Sequence, residues 1–324
     1  MQNQIRTFAT AIGLIALSTA AIAAEPAKVV IGGGVYLDVP QLAVADDRNL
    51  WVAHDIEAQT IPFQSGRDAF EALLGGQLDI AFIAEFPAVI GAMRDQDFAL
   101  LAEMTRYKGT RIIHAGGDGI ASIADLDGKP IGVTAGTNVH FMLETALGEN
   151  GVSAEIVSVG PPDIVPALAR GDIFAGAMFP SFYQGAKKML AERYREIRVP
   201  GYQTRFVLVA TREVIDVRPE VVRAVLETLI EAESVVATDP VAAQASVVSV
   251  LQGSVSTEDV AAAWGDYDHR IGLDASLLDL MVQEGLWIHG RGSIKGDPPT
   301  AESIGAYFAP DFLADIDATR VALN

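Results

Sequence analysis

The chain has 324 residues, 50% of them hydrophobic and 20% charged, with 30 glycines, 15 prolines and no cysteine. That composition is globular, with room for two or three average domains, and it excludes disordered, collagen-like and small disulfide-stapled classes. Acidic residues outnumber basic ones 42 to 23, a formal charge of −19, which opposes docking on a phosphate backbone or an anionic lipid surface, so no nucleic-acid partner is expected.

The lack of cysteine removes thiol nucleophiles, disulfides, Cys-ligated zinc or iron–sulfur centres, and lipid carried on cysteine. At the N-terminus Arg6 is the only charge before Glu25, residues 8–22 are mostly apolar, and Ala21-Ile22-Ala23 supplies a small-x-small cleavage pattern. Residues 1–23 therefore read as a signal peptide cleaved near Ala23, too short and interrupted for a comfortable membrane span. An exported chain without a lipidated cysteine suits a bacterial periplasm.

Strand-like runs alternate with amphipathic helical stretches from residue 25 to about 210, the pattern of an α/β fold with a largely parallel sheet. Strands are expected at 28–31, 56–63 and 79–83, the last preceded by a helix with Phe70, Leu73 and Leu74 at core-facing spacing. Further strands fit 111–114 and 130–134, then a helix with Val139, Met142, Leu143 and Ala146 on one face, then strands at 156–159 and 205–210. Residues 72–81 and 167–176 share an order of apolar helix end, glycine suited to a left-handed cap, and strand, which suggests two similar α/β lobes. After residue 210 the chain turns helical: Pro219-Glu220 and Asp239-Pro240 open helices, and Ser256 with Asp259 forms a capping pattern. Trp264, Tyr267 and Trp287 read as core or lobe-edge aromatics.

Standard catalytic patterns are missing: GxSxG, SxxK, HExxH, Walker loops, EF-hand loops and spaced GxGxxG do not occur. The five histidines lack metal-ligand spacing; only His140 lies beside a candidate site segment, and a first-turn helix histidine is ordinarily solvated. No metal, cofactor or catalytic residue is expected.

What remains are strand ends that turn into helix starts, where glycine admits close backbone approach and helix N-termini present free N–H groups. Five segments fit: Gly32-Gly33-Gly34-Val35-Tyr36, Gln64-Ser65-Gly66-Arg67, Ala84-Glu85-Phe86-Pro87, Thr134-Ala135-Gly136-Thr137-Asn138, and Phe179-Pro180-Ser181-Phe182. In the fourth, Gly136 permits approach, Thr137 offers a hydroxyl and the N-cap, and the helix start favours a polar or anionic group. Glu85, following an apolar strand, is expected either to face a cleft and receive a nitrogen group of the ligand, offset by Arg67, or to cap the helix starting near Pro87. Tyr36, Phe86 and Phe182 would clamp the remainder of such a ligand.

Two stretches also carry a family likeness. Residues 65–81, SGRDAFEALLGGQLDIA, and 125–134, DLDGKPIGVT, with Gly136-Thr137, resemble solute-binding proteins of the sulfonate, nitrate, taurine and thiamine-precursor type. The resemblance spans almost the whole mature chain. It implies a type II periplasmic-binding fold, two α/β lobes joined by two crossovers near 110–115 and 203–210, with a helical C-terminal part packing on the first lobe. The implied lobes are 24–107 plus 211–324, and 108–210. It also implies ligand in the cleft, around Tyr36, Ser65, Glu85, Thr134 to Asn138, and Pro180 to Phe182, with delivery by hinge closure to the permease and ATPase of an ABC importer. Phe174 stands where the family commonly has aspartate, and Met178-Phe179 precede Pro180 where tryptophan and glutamate are common. The expected function is a monomeric non-enzymatic receptor for a small amine-bearing, aminopyrimidine-like or sulfonate solute. Its rivals are a sensor subunit for a membrane receptor and a secreted enzyme of the same fold.

Overall fold

The computed structural model describes residues 25–34, 38–63, 65–116, 119–252 and 255–323. The signal peptide and Tyr36 lie outside these residues. The first part of the chain runs β1 (Ala27–Gly33), α1 (Pro40–Asp47), β2 (Ile56–Pro62), α2 (Gly66–Leu74), β3 (Ile80–Ala84), α3 (Glu85–Met93) and β4 (Ala99–Tyr107). A second run comprises β5 (Arg111–His114), β6 (Pro130–Val133), α4 (Asn138–Glu149), β7 (Glu155–Ser158), α5 (Ile164–Arg170), β8 (Ala175–Ala177), α6 (Tyr183–Leu190) and β9 (Arg195–Arg198). Then β10 (Thr204–Ala210) leads to the helices α7 (Arg212–Val217), α8 (Pro219–Thr238), α9 (Pro240–Val250) and α10 (Thr257–Trp264). The last elements are β11 (Tyr267–Asp268), β12 (Leu273–Asp274), α11 (Ala275–Gly290), α12 (Ala301–Gly305), α13 (Pro310–Ile316) and β13 (Val321–Ala322).

Two large sheets organise these elements, beside a two-stranded pairing of β12 with β13. One has the order β11-β4-β10-β3-β1-β2 and the other β7-β6-β8-β5-β9. In the first, β1 is parallel to β2 and β3 while β10 is antiparallel to β3 and β4. In the second, β6 is parallel to β7 and β8 while β5 is antiparallel to β8 and β9. The sheets thus repeat one plan: β2, β1, β3, β10 and β4 correspond to β7, β6, β8, β5 and β9. The internal similarity falls on equivalent pieces, α2–β3 and α5–β8. Each helix is followed by a left-handed glycine, Gly76 at φ 71° and Gly171 at φ 83°, a conformation that costs a side chain bearing Cβ.

The chain passes between sheets at residues 108–110 and 199–203. The expected boundary at 210 is therefore corrected: β10 belongs to the first sheet, where Phe206 to Ala210 pair with Ala84 to Ile80 of β3. All seven residues of β10 are buried, and such a continuous apolar run carries no alternation that reveals which sheet it joins. The same reason hides β4, whose residues are buried except Arg106. It also carries Glu103, 1% exposed, which accepts from Arg205 at 2.9 Å and Arg106 at 2.7 Å.

The C-terminal helices cover the first sheet. Pro219 starts α8, which buries Val222, Val225, Leu226 and Leu229 and packs on α1. Asp239 and Ser256 accept from the N–H groups of Ala242 and Asp259, so both expected caps form. α11 packs on α3 and reaches across to α4. Among the described residues no helix is long and apolar enough to cross a membrane.

Candidate functional site

The two lobes meet at a cleft whose walls include residues from all five strand-end segments, the first through Gly34. Ser65 is the N-cap of α2 and its Oγ accepts from Asp68 N–H at 3.2 Å. Gly66 follows because a Cβ there would meet Ala84 N and the Ile83 side chain at 3.3 Å, tighter than ordinary contact. In the opposite lobe Gly136 takes φ 72°, and Thr137 occupies the N-cap position of α4. The Thr137 hydroxyl does not cap: it donates to Thr134 O at 2.7 Å, while Thr134 Oγ1 donates to Val159 O at 3.0 Å. Asn138, 4% exposed, donates from Nδ2 to Thr204 Oγ1 at 3.3 Å and so ties α4 to β10 of the other lobe. A 3-10 turn, Pro180–Phe182, leads into α6.

Together these segments enclose a cavity of about 420 Å³. Ser65, Gly66, Arg67, Phe86 and Arg94 line it from the first lobe, and Thr134, Gly136, Thr137, Asn138, Phe179 and Phe182 from the second. A recess of about 80 Å³ adjoins it, sharing Ser65, Gly66, Asn138 and Phe179 and adding Asp38 and Ser181. Arg67 lies 3.7 Å from Glu71 of its own helix, and Arg94 has no ion pair among the described residues. Asp38 accepts from Tyr267 OH at 2.9 Å, and burial pushes its carboxyl up to about 7 despite that bond.

Nine of the eleven expected site residues meet in this cleft: Ser65, Arg67, Phe86, Thr134, Gly136, Thr137, Asn138, Ser181 and Phe182. Tyr36 lies outside the described residues. Glu85 is a correction. Its side chain is fully buried, and its carboxyl accepts from Tyr202 OH and, at 2.8 Å, from Arg205 N–H. As the first residue of α3 it faces the second crossover and α11, where Glu284 is also fully buried, so it has no surface on the cleft. Burial raises both carboxyls, and for Glu284 the charge of Glu85 adds to the rise, so the two buried carboxyls titrate as a pair.

His140 departs from its expectation too: it is buried, at 5% exposure, and bonded at both ring nitrogens. Phe174 stacks on His114, with centroids 6.0 Å apart, has Lys129 Nζ over its ring at 5.3 Å, and is not among the residues lining the cavity. Residues the sequence reading missed are Asp38, Arg94, Pro161 and Pro162 as cleft walls, while Phe179 belongs to the fifth expected segment. The two prolines follow β7, so strand-end reasoning applied to that strand would have found them. Arg94, at the far end of α3, carries no local signal.

Chemically, the start of α2 and the start of α4 bring N–H groups and partial positive charge to one cavity, with two guanidinium groups on its wall. Phe70, Leu74, Ile90 and the phenylalanines supply an apolar side. The Ser65, Thr134 and Thr137 hydroxyls bond to backbone groups, and among the described residues no cluster of groups could hold a metal ion.

Comparison with known proteins agrees with this architecture. A putative binding protein of Brucella abortus is 27% identical over 198 residues, 59% of this chain and 61% of the relative; the chain thus spans less than two thirds of the curated relatives it matches first. The putative aliphatic sulfonates-binding protein of Escherichia coli is 24% identical over 230 residues, 68% of this chain and 72% of the relative. The crystal structure of the periplasmic aliphatic sulphonate binding protein from Escherichia coli superposes with a TM-score of 0.73 at 19% identity, covering 87% of this chain and 97% of that one. The fold is therefore that of periplasmic binding proteins, and a desulfurization enzyme shares it at a TM-score of 0.64 and 15% identity, covering 90% of this chain and 99% of its own. The sequence pattern of the NMT1-like family matches residues 22–252, and the chain belongs to that family.

Proposed function

We propose that this protein is the periplasmic solute receptor of an ABC importer, binding a small organic anion with an apolar part, of the alkylsulfonate type, between its lobes. The observation that carries the reading is the cleft itself. One cavity of about 420 Å³ joins helix starts from both lobes, two arginines and an apolar wall. A sulfonate oxygen accepts from backbone N–H and guanidinium groups, and an alkyl or aryl tail covers the phenylalanines. Burial of Glu85 removes the carboxylate on which an amine-bearing ligand depended; Asp68 and Glu71 also line the cavity, Glu71 lying 3.7 Å from Arg67, so the anionic class rests on the two helix starts and on Arg94. The names of the relatives point the same way. Hinge closure about residues 108–110 and 199–203 would complete the site and present the closed form to a permease.

Binding rather than turnover is the expected chemistry, because the Ser65, Thr134 and Thr137 hydroxyls serve the backbone and Asp38, the carboxyl in the adjoining recess, is engaged by Tyr267. The test is a thermal-shift screen with alkane- and arylsulfonates, carboxylates and amines, followed by product analysis of any hit. A ligand at a hundredfold excess over Kd stabilises the native state by about 2.7 kcal/mol and raises the melting temperature by several degrees. Sulfonates that give no shift while amines do would overturn the ligand class; product formation would overturn the receptor reading.

A further inference from the structure

We infer that His140 is a positioning residue for the cleft loop 134–138, held in a single tautomer by a relay that starts on the C-terminal helix α11. The inference deepens the reading of this cleft as a ligand site and rests on it. Gly136 N–H points at His140 Nδ1, 3.1 Å away. A backbone N–H can only donate, so Nδ1 must be without hydrogen and the ring proton must sit on Nε2. Nε2 lies 3.1 Å from Glu144 Oε1, which accepts that proton in a hydrogen bond. The other oxygen of Glu144 accepts from Trp287 Nε1 at 3.1 Å and from the Arg291 guanidinium.

The relay crosses between lobes. His140 and Glu144 belong to α4, whereas Trp287 and Arg291 belong to the end of α11, which packs on α3. The Trp287 ring stands edge-on to His140 with centroids 5.2 Å apart, and it also meets Phe86 and Phe141 at 5.9 and 5.7 Å. The imidazole is thus packed by Trp287 and bonded at both nitrogens. Glu144, Trp287 and Arg291 do not line the cavity, so the loop that does is set from a distance.

The charges facing the ring come from three elements. Glu144 on α4 favours a charged imidazole, Arg291 on α11 opposes it, and burial opposes it most, which holds the ring neutral below its usual titration range. Glu85 on α3 and Glu284 on α11 are bonded to Tyr202 instead. The loop 134–138 carries no charged residue. Acid that protonates the ring places a hydrogen on Nδ1, breaks the Gly136 bond and releases the loop. Ligand affinity therefore falls on acidification.

The test uses the full chain and reads Gly136 amide exchange, His140 ring resonances and affinity for 1-hexanesulfonate between about pH 5 and pH 8. His140→Leu removes the acceptor, whereas His140→Asn keeps an oxygen near the position of Nδ1 and does not titrate. In the parent, the ring is expected as the Nε2–H tautomer, and Gly136 protection beyond intrinsic exchange falls as the ring titrates. His140→Leu should lose that protection at every pH and bind hexanesulfonate about tenfold more weakly. His140→Asn should restore protection and flatten its pH profile, and Arg291→Met should move the ring titration to higher pH. A folded His140→Leu with parental Gly136 exchange, or a ring carrying its neutral proton on Nδ1, overturns the inference. If the loop behaves as described but the parent binds neither hexanesulfonate nor any other anion, the relay stands and the ligand reading fails.

Discussion

Replacing Glu284 with glutamine tests the electrostatics behind the cleft without touching its walls. Glu284 and Glu85 are both fully buried and joined to Tyr202, and burial with their mutual repulsion raises the pair so that it holds one proton above the ordinary carboxylate range. The unfolded chain releases that proton above the ordinary carboxylate range, so folding takes one up. Wild-type stability consequently falls as pH rises above that range, by roughly 1 kcal/mol per pH unit while the proton is retained. In Glu284→Gln the amide N–H replaces the carboxyl hydrogen toward Glu85, and no proton has to be taken up. The variant should lack this slope and overtake the parent as pH rises. For a chain of this size each kcal/mol moves the melting temperature by about 2 °C, so the gap should widen by about 2 °C for each pH unit over which the proton is retained. Melting curves followed by circular dichroism at pH 6, 7 and 8 measure it directly. Parallel pH profiles for parent and variant would refute the shared proton.

Gly136→Ala puts a side chain at φ 72° where nothing stands within 4 Å, so its cost is backbone strain alone, about 1 kcal/mol in urea unfolding; a neutral effect would show that the loop relaxes freely. Asp266 accepts from Arg111 and, at 2.9 Å, from Arg198, both of the second lobe, while it precedes β11 of the first; Asp266→Asn should cost about 1–3 kcal/mol, with Arg111 the larger contributor because Arg198 is half exposed. Double substitution of Arg67 and Arg94 by glutamine should weaken an anionic ligand and flatten the salt dependence of its affinity, as seen by titration calorimetry at low and high ionic strength; unchanged salt dependence would remove the arginines from ligand recognition.

Local signals in the sequence were the readable ones. Asp239 and Ser256 announce helix starts because a side-chain oxygen is needed for an orphan N–H, and each is bonded as expected, whereas Thr137 takes the N-cap position but turns its hydroxyl to Thr134 O. The repeated helix–glycine–strand unit predicted two lobes, and Gly171 is left-handed where a Cβ would be strained. Strand ends located most of the cleft. What failed was long-range. β4 is buried on both faces, so its sequence lacks the alternation that distinguishes strand from core helix, whereas β10 reads as a strand but nothing local shows which sheet it joins. Glu85 looked like a ligand group because it follows a strand, yet its orientation depends on Tyr202 and Glu284, separated from it by 117 and 199 residues (202 − 85 and 284 − 85). His140 was read as solvated because nothing local shows that Trp287 will cover it.

The central claim is that ligand is held between the lobes, and hydrogen exchange across the whole chain with and without the best-binding sulfonate tests it most directly. The account predicts simultaneous protection at residues 65–68, 134–138 and 179–182, segments brought together only by the cleft. Protection confined to one lobe, or centred on the separate surface hollow around Glu233, His269 and Arg320, would contradict it.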